Sequence, residues 1–121
     1  MSKFEIKQTG TGWRFDLKAG NGESVAASEV YETRAACVKG VQSVIKNCTA
    51  GIEDRTAHPV VPVRNPKFEI FIDRTGAFRF RMKAKNGKII AVSEGYATKA
   101  GCENGIASIK HNAPDALVEE T

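Results

Sequence analysis

SEVYETRAAC at residues 28–37 returns, almost letter for letter, as SEGYATKAGC at residues 93–102. Working outward, RFDLKAGNGESVAASEVYETRAACVKGVQSVIKN (residues 14–47) aligns with RFRMKAKNGKIIAVSEGYATKAGCENGIASIKHN (residues 79–112). KFEI at Lys3–Ile6 recurs at Lys67–Ile70, and IEDRT at residues 52–56 is answered by LVEET at residues 117–121. The offset is 64 residues at first and 65 from Trp13 onward, which places a one-residue deletion in the first tight turn of the first copy. Self-similarity at a fixed spacing is the mark of a duplicated structural unit. Residues 1–56 and 67–121 read as the two copies. Between them, residues 57–66 carry three of the four prolines and read as an extended, stiff linker.

Within a copy the apolar pattern changes period. Phe4 and Ile6 alternate with charges, as do Trp13, Phe15 and Leu17, so two strands are predicted. Asn21-Gly22 supplies residues that tolerate positive φ in a tight hairpin turn, and Val25 to Ser28 forms a third strand. Asn86-Gly87 and Ile89 to Ser93 repeat the arrangement. The period then turns helical over residues 34–47 and 99–112, with Thr33 and Thr98 placed as N-caps. Cys37, Gly40, Val41 and Val44 share one helical face, matched by Cys102, Gly105, Ile106 and Ile109. A glycine inside a helix costs roughly 1 kcal/mol against alanine, so its duplication signals a close approach of helix to sheet. A short fourth strand follows each helix. The fold class is α+β: a tandem duplication of a β-β-β-α-β unit, with one antiparallel sheet shared by both repeats and two helices on one face. A unit of about 55 residues is marginal alone, and pooling the strands buries a common core.

The repeat KFEI…FRFRMKAKNGKIIAVSEGYATKAGCENGIASIK resembles that of the bacterial YegP-like family, and the first copy shares its N-G, S-E-x-Y and A-x-C-x-x-G elements. The resemblance covers all but the linker. It implies tandem units sharing a single sheet, with the C-terminal strands exchanged between repeats. It brings no activity, catalytic residue, cofactor or partner.

Composition narrows the function classes. At 121 residues and 41% hydrophobic, the chain can bury a core without disulfides or metal. No apolar run approaches the roughly 20 residues that span a bilayer, so no membrane role is read. MSKFEIKQTG has no apolar stretch of signal type, and three cysteines without an export signal fit free thiols in the cytoplasm. The net charge of +4 permits an acidic partner without demanding one.

Several candidate chemistries fail on spacing. The two histidines, His58 and His111, are not equivalent positions, so no duplicated Cys–His site exists, and Cys37 and Cys102 read as core thiols. Cys48, near a helix end, reads as partly exposed. Scattered cysteines and histidines give no zinc spacing, and neither metal nor cofactor is expected. Glu29 and Glu94 recur with Tyr31 and Tyr96. The sequence gives no reason to place both carboxylates in one pocket, so the motif reads as the shape of a strand-to-helix corner.

The informative asymmetry is charge. Residues 74–88 hold six cations and no acid, whereas the first copy has Asp16 and Glu23 in the matching stretch. Strand alternation puts Arg79, Arg81 and Lys83 on the open face with Phe71 and Ile89. With Lys85 and Lys88 they form the candidate binding surface, suited to nucleic acid or an acidic protein. The expectation is a non-enzymatic binding or interaction module, a monomer with pseudo-two-fold internal symmetry. The rivals are an enzyme using the repeated corner and a purely structural, oligomerising protein.

Overall fold

The computed structural model describes residues 2–121. Its elements are β1 (Lys3–Gln8), β2 (Trp13–Lys18), β3 (Ser24–Ala27), α1 (Arg34–Asn47), β4 (Gly51–Asp54), β5 (Lys67–Ile72), β6 (Phe78–Lys83), β7 (Ile89–Val92), α2 (Lys99–Asn112) and β8 (Leu117–Glu120), with a short 3₁₀ turn at Ala113–Asp115. The strands form one eight-stranded sheet in the order β4-β5-β6-β7-β3-β2-β1-β8. Both helices span the residues that periodicity assigns them.

The sheet is mixed, which corrects the antiparallel expectation. β4 runs parallel to β5, and β8 parallel to β1, so both outer pairings are parallel. A tight hairpin can only reverse the chain, whereas the long segment between Asp54 and Lys67 carries it back to start β5 in the direction of β4. This segment is anchored on the way: the Val63 N–H donates to Glu53 Oε1 at 2.9 Å.

The Asn-Gly turns also differ from the two-residue form. Ala19 N–H donates to the Glu23 carbonyl and Gly22 N–H to the Ala19 carbonyl, each at 2.9 Å, and only Gly22 has positive φ, at 86°. This is a three-residue loop closed by a bulge, which needs one left-handed residue rather than two. The same turn recurs at Asp73–Ala77 and Ala84–Lys88, with Gly76 at 86° and Gly87 at 83°. At Thr9–Gly12 a shorter turn closes through Thr9 N–H to the Gly12 carbonyl at 2.7 Å, which is where the sequence offset changes.

The duplicated ten-residue phrase builds the corner between third strand and helix. Ser28 Oγ accepts the Phe15 N–H at 2.9 Å and donates to the Glu29 carbonyl at 2.7 Å. Ser93 Oγ does the same with Phe80 N–H (2.9 Å) and the Glu94 carbonyl (2.8 Å). Tyr31 exchanges backbone hydrogen bonds with Trp13, and Tyr96 with Phe78. Thr33 and Thr98 then cap the helices, accepting from Ala36 N–H at 3.1 Å and Gly101 N–H at 3.0 Å.

One buried cluster draws Phe4, Ile6, Phe15 and Leu17 together with Phe68, Ile70, Phe80 and Met82, under Cys37, Val41 and Val44 of α1 and Cys102, Ile106 and Ile109 of α2. Each helix packs on strands of both halves: α1 on β1, β2 and β7, and α2 on β6 and β3. The helical glycines make room for the corner tyrosines. The Tyr31 ring stacks on Phe15 at 6.3 Å and Tyr96 on Phe80 at 6.5 Å. A Cβ at Gly40 would fall on the Tyr31 hydroxyl and 2.8 Å from its Cζ, and one at Gly105 would fall on the Tyr96 hydroxyl and 2.9 Å from its Cζ. Gly105→Ala therefore destabilises the fold by about 1–3 kcal/mol through overpacking, although alanine is the better helix former. Chemical denaturation checks this, and adding Tyr96→Phe recovers part of the loss. A neutral or stabilising Gly105→Ala would contradict the packing argument.

Candidate functional site

The surface away from the helices is not the acid-free face that the β6 sequence suggests. Arg79, Arg81 and Lys83 do alternate on one face of β6, but acids from neighbouring elements meet them. Glu69 on β5 faces Arg81 in register and is 2% exposed. It takes Arg81 Nε at 2.6 Å and the Lys83 and Lys67 amines at 3.1 Å. Arg79 Nε donates to Asp73 Oδ2 at 2.7 Å and its Nη1 to the Ser93 carbonyl at 3.2 Å. Phe71 is half-buried beneath the Arg81 guanidinium, 4.6 Å from the ring centroid. Glu53 on β4, also 2% exposed, takes Lys67 Nζ at 2.9 Å and Arg55 Nη1 at 2.8 Å. The first half builds a similar lattice in which Glu5 meets Lys3, Lys7 and Lys18, and Asp16 meets Arg14.

Glu53, Asp54 and Glu69 titrate low for physical reasons. Hydrogen bonds from Lys67, then from the Val63 N–H and Arg55, hold Glu53 down to about 2. Burial alone would raise Asp54, but Lys99 and Thr56 outweigh it and hold it to about 2. Burial likewise opposes Arg81, Lys67 and Lys83 at Glu69, and the cations win.

Lys85 and Lys88 lie elsewhere. They sit on the β6–β7 hairpin, which faces α1 across a groove. Two contiguous depressions of about 540 and 350 Å³ make up this groove, sharing Lys39, Ser43, Ala84 and Asn86. Lys39 and Lys46 line the α1 wall, and Lys85 and Lys88 the hairpin wall. All four lysines are exposed, and none bridges a carboxylate among the described residues. No carboxylate lines either depression; Glu29 lines the adjoining one with Lys88. Ile89, expected on the open face, lines this groove instead at 37% exposure.

The other half repeats the groove with different chemistry. Between α2 and the β2–β3 hairpin lies a depression lined by Ala19, Asn21, Tyr96, Gly105 and Ser108, the counterparts of Ala84, Asn86, Tyr31, Gly40 and Ser43. The repeat alignment replaces Lys39 by Asn104, Lys46 by His111, Lys85 by Gly20 and Lys88 by Glu23. One groove is basic and its counterpart carries no lysine.

The seam between β3 and β7 holds a further feature that the sequence did not disclose. An open depression of about 760 Å³ is lined by both Glu29 and Glu94, together with Arg14 and Arg79. Both glutamates are exposed. The corner tyrosines are raised above the usual phenol range, chiefly by burial. The cysteines are all buried, including Cys48, whose Sγ donates to the Ile45 carbonyl at 3.2 Å. Burial raises Cys37 and pushes Cys102 up to about 11, so neither is an activated nucleophile. Among the described residues, no three His, Cys, Asp or Glu side chains group as a metal site, and no helix is long and apolar enough to cross a membrane.

The architecture is an α+β fold with one mixed sheet and two helices, built from two like halves. The family model "Domain of unknown function (DUF1508)" matches residues 9–54 and 73–120, and the chain belongs to that family. It is 36% identical over 118 residues to a UPF0339 protein from the ptx operon 5′ region of Stutzerimonas stutzeri, covering 97% of this chain and 94% of that one. A Treponema denticola UPF0339 protein is 59% identical over 54 residues, 45% of this chain and 93% of its own. The solution NMR structure of yegP from E. coli, a protein of unknown function, superposes with TM-score 0.80 at 33% identity, covering 99% of this chain and 92% of that one.

The ion lattice has a pH consequence. Folded Glu53 and Asp54 titrate near 2, and the unfolded chain's carboxylates near 4, so between these values protons favour the unfolded chain. Stability is intact above about pH 5 and drains as pH falls toward 2. Glu53→Gln costs about 2 kcal/mol at neutral pH and flattens the acid dependence. Denaturation curves between pH 7 and 2 check this, and an acid-insensitive wild type would contradict it.

Proposed function

We propose that the protein is a non-enzymatic binding module for an anionic partner, and that its contact surface is the lysine groove between α1 and the β6–β7 hairpin. The observation that carries this reading is the placement of unpaired charge. On the open face each cation of the β6 row is held by a carboxylate. In the groove four lysines stand together with no carboxylate partner. Four exposed lysines along one groove with no carboxylate among its lining give that groove a positive potential, which attracts an anion. The open face around Arg79, Arg81, Lys83 and Phe71 is accordingly the weaker candidate. The partner meets a cytoplasmic monomer in this reading. The pairing of β4 with β5 and of β8 with β1 is taken as an exchange of terminal strands between two ancestral units. A half-length relative matched over 93% of its own chain supports that view.

One arrangement favours a second reading. The seam depression brings Glu29 and Glu94 to the same cavity, as an enzyme with paired carboxylates requires. A turnover that wild type shows and Glu94→Gln lacks would establish it.

Retention on immobilised heparin tests the anion reading. The pair Lys39→Gln and Lys88→Gln lowers the eluting salt well below that of wild type, while Arg74→Gln, an exposed cation in a distant turn, changes it little. Equal shifts in both, or none in the lysine variant, would contradict the groove assignment.

A further inference from the structure

We infer that the lysine groove takes a short single strand of nucleic acid, gripping about four successive phosphates; this rests on the groove being an anion site. Three features favour a strand over a compact ion or an acidic peptide. First, the cations are distributed along the groove. Lys39 and Lys46 are seven residues apart on one helix, so their Cα atoms stand about 10 Å apart along its axis, at 1.5 Å rise per residue. Lys85 and Lys88 flank the facing hairpin turn. Lysines spread along both walls match a strand, which presents one charge per nucleotide along its path, better than a single compact anion.

Second, the groove has apolar lining beside its cations. Tyr31, Ile89 and Ala84 line one depression, and Pro66 and Ala84 the other. The half-buried Tyr31 is the one aromatic in this lining, and sequence-tolerant single-strand binding combines a cationic track with aromatic surface. Third, Gln42 and Asn86 supply side-chain amides within the groove. The Asn86 Oδ1 accepts the Lys88 N–H at 3.0 Å, which fixes the side chain and leaves its NH₂ available to a base or sugar oxygen. A duplex suits the site poorly: its bases are stacked inside and cannot reach the apolar lining between the walls.

The two halves make the inference sharper. The counterpart groove keeps the tyrosine, the glycine, the serine and the asparagine but has Asn104, His111, Gly20 and Glu23 where the lysines stand. The scaffold is therefore present twice and the cationic track once, which assigns one strand to each chain.

The test is fluorescence anisotropy with labelled oligo(dT) of eight nucleotides across a salt series, with tripolyphosphate, poly-glutamate and a matched duplex as comparison probes. For four neutralised phosphates the slope of log K against log salt is about −2.8, equivalent to a roughly 50-fold weakening between 50 and 200 mM salt. Each of Lys39→Gln, Lys46→Gln, Lys85→Gln and Lys88→Gln reduces the slope by about 0.7. Glu23→Lys with Asn104→Lys in the counterpart groove raises the stoichiometry above one strand per chain. Circular dichroism confirms that each variant is folded, as expected for exposed side chains. Tripolyphosphate, poly-glutamate or duplex binding as tightly as the single strand would overturn the strand inference and leave the anion reading standing. Oligo(dT) binding that survives the lysine substitutions would overturn the site. No binding of any probe at 50 mM salt would overturn both.

Discussion

β3 meets β7 through one registered pair, Ala27 and Val92, so the centre of the eight-stranded sheet is its least paired line. The two halves cannot be held by that ladder alone. They are joined by helices that lie across it, α1 reaching β7 and α2 reaching β3, and by outer strands that pair with the opposite half. Much of the corner chemistry serves this crossing. The serine fastens the strand end, the tyrosine stacks on the core phenylalanine, the glycine lets the helix close over it, and the threonine starts the helix at the required place. The same crossing creates the two grooves, because each helix flank ends up beside a hairpin from the other half.

Charge follows from this geometry. Strands β4 and β5 each contribute a nearly fully buried glutamate to the face away from the helices, and cations on β5, β6 and the segment after β4 close over them. A buried carboxylate is tolerated only with such partners, so these cations are committed to the fold. The lysines of α1 and the β6–β7 hairpin have no such duty. Four of the cations that bridge no carboxylate among the described residues, Lys39, Lys46, Lys85 and Lys88, therefore stand together along one groove.

Much of this was legible in the sequence. The duplication, both helices, their caps and the core positions follow from spacing, because period and capping are local properties. The parallel outer strands were not legible as such: the residues after each helix read as strands, but their direction depends on which strand they meet, β5 for β4 and β1 for β8, and that is set by tertiary packing rather than by local pattern. Nor could the strand pattern of β6 reveal that Glu69, twelve residues before Arg81, would stand opposite it; that is a property of register. Alternation assigns Arg79, Arg81 and Lys83 to one face of β6, while the acids that meet them there, Asp73 and Glu69, come from the β5–β6 turn and from β5. Lys85 and Lys88 belong with Lys39 and Lys46, some forty residues away, and only the packing of α1 on the opposite half's hairpin unites them. The seam depression that gathers Glu29 and Glu94 is likewise a product of tertiary pairing.

Amide chemical-shift mapping during titration with a short oligonucleotide addresses the functional account most directly. The account predicts shifts concentrated in α1 from Lys39 to Asn47 and in the hairpin from Ala84 to Ile89, with little change at the counterpart residues Asn104 to Asn112 and Ala19 to Ser24. Shifts centred on the open faces of β5 and β6, around Phe71, Arg79 and Arg81, or spread evenly over both halves, would contradict it.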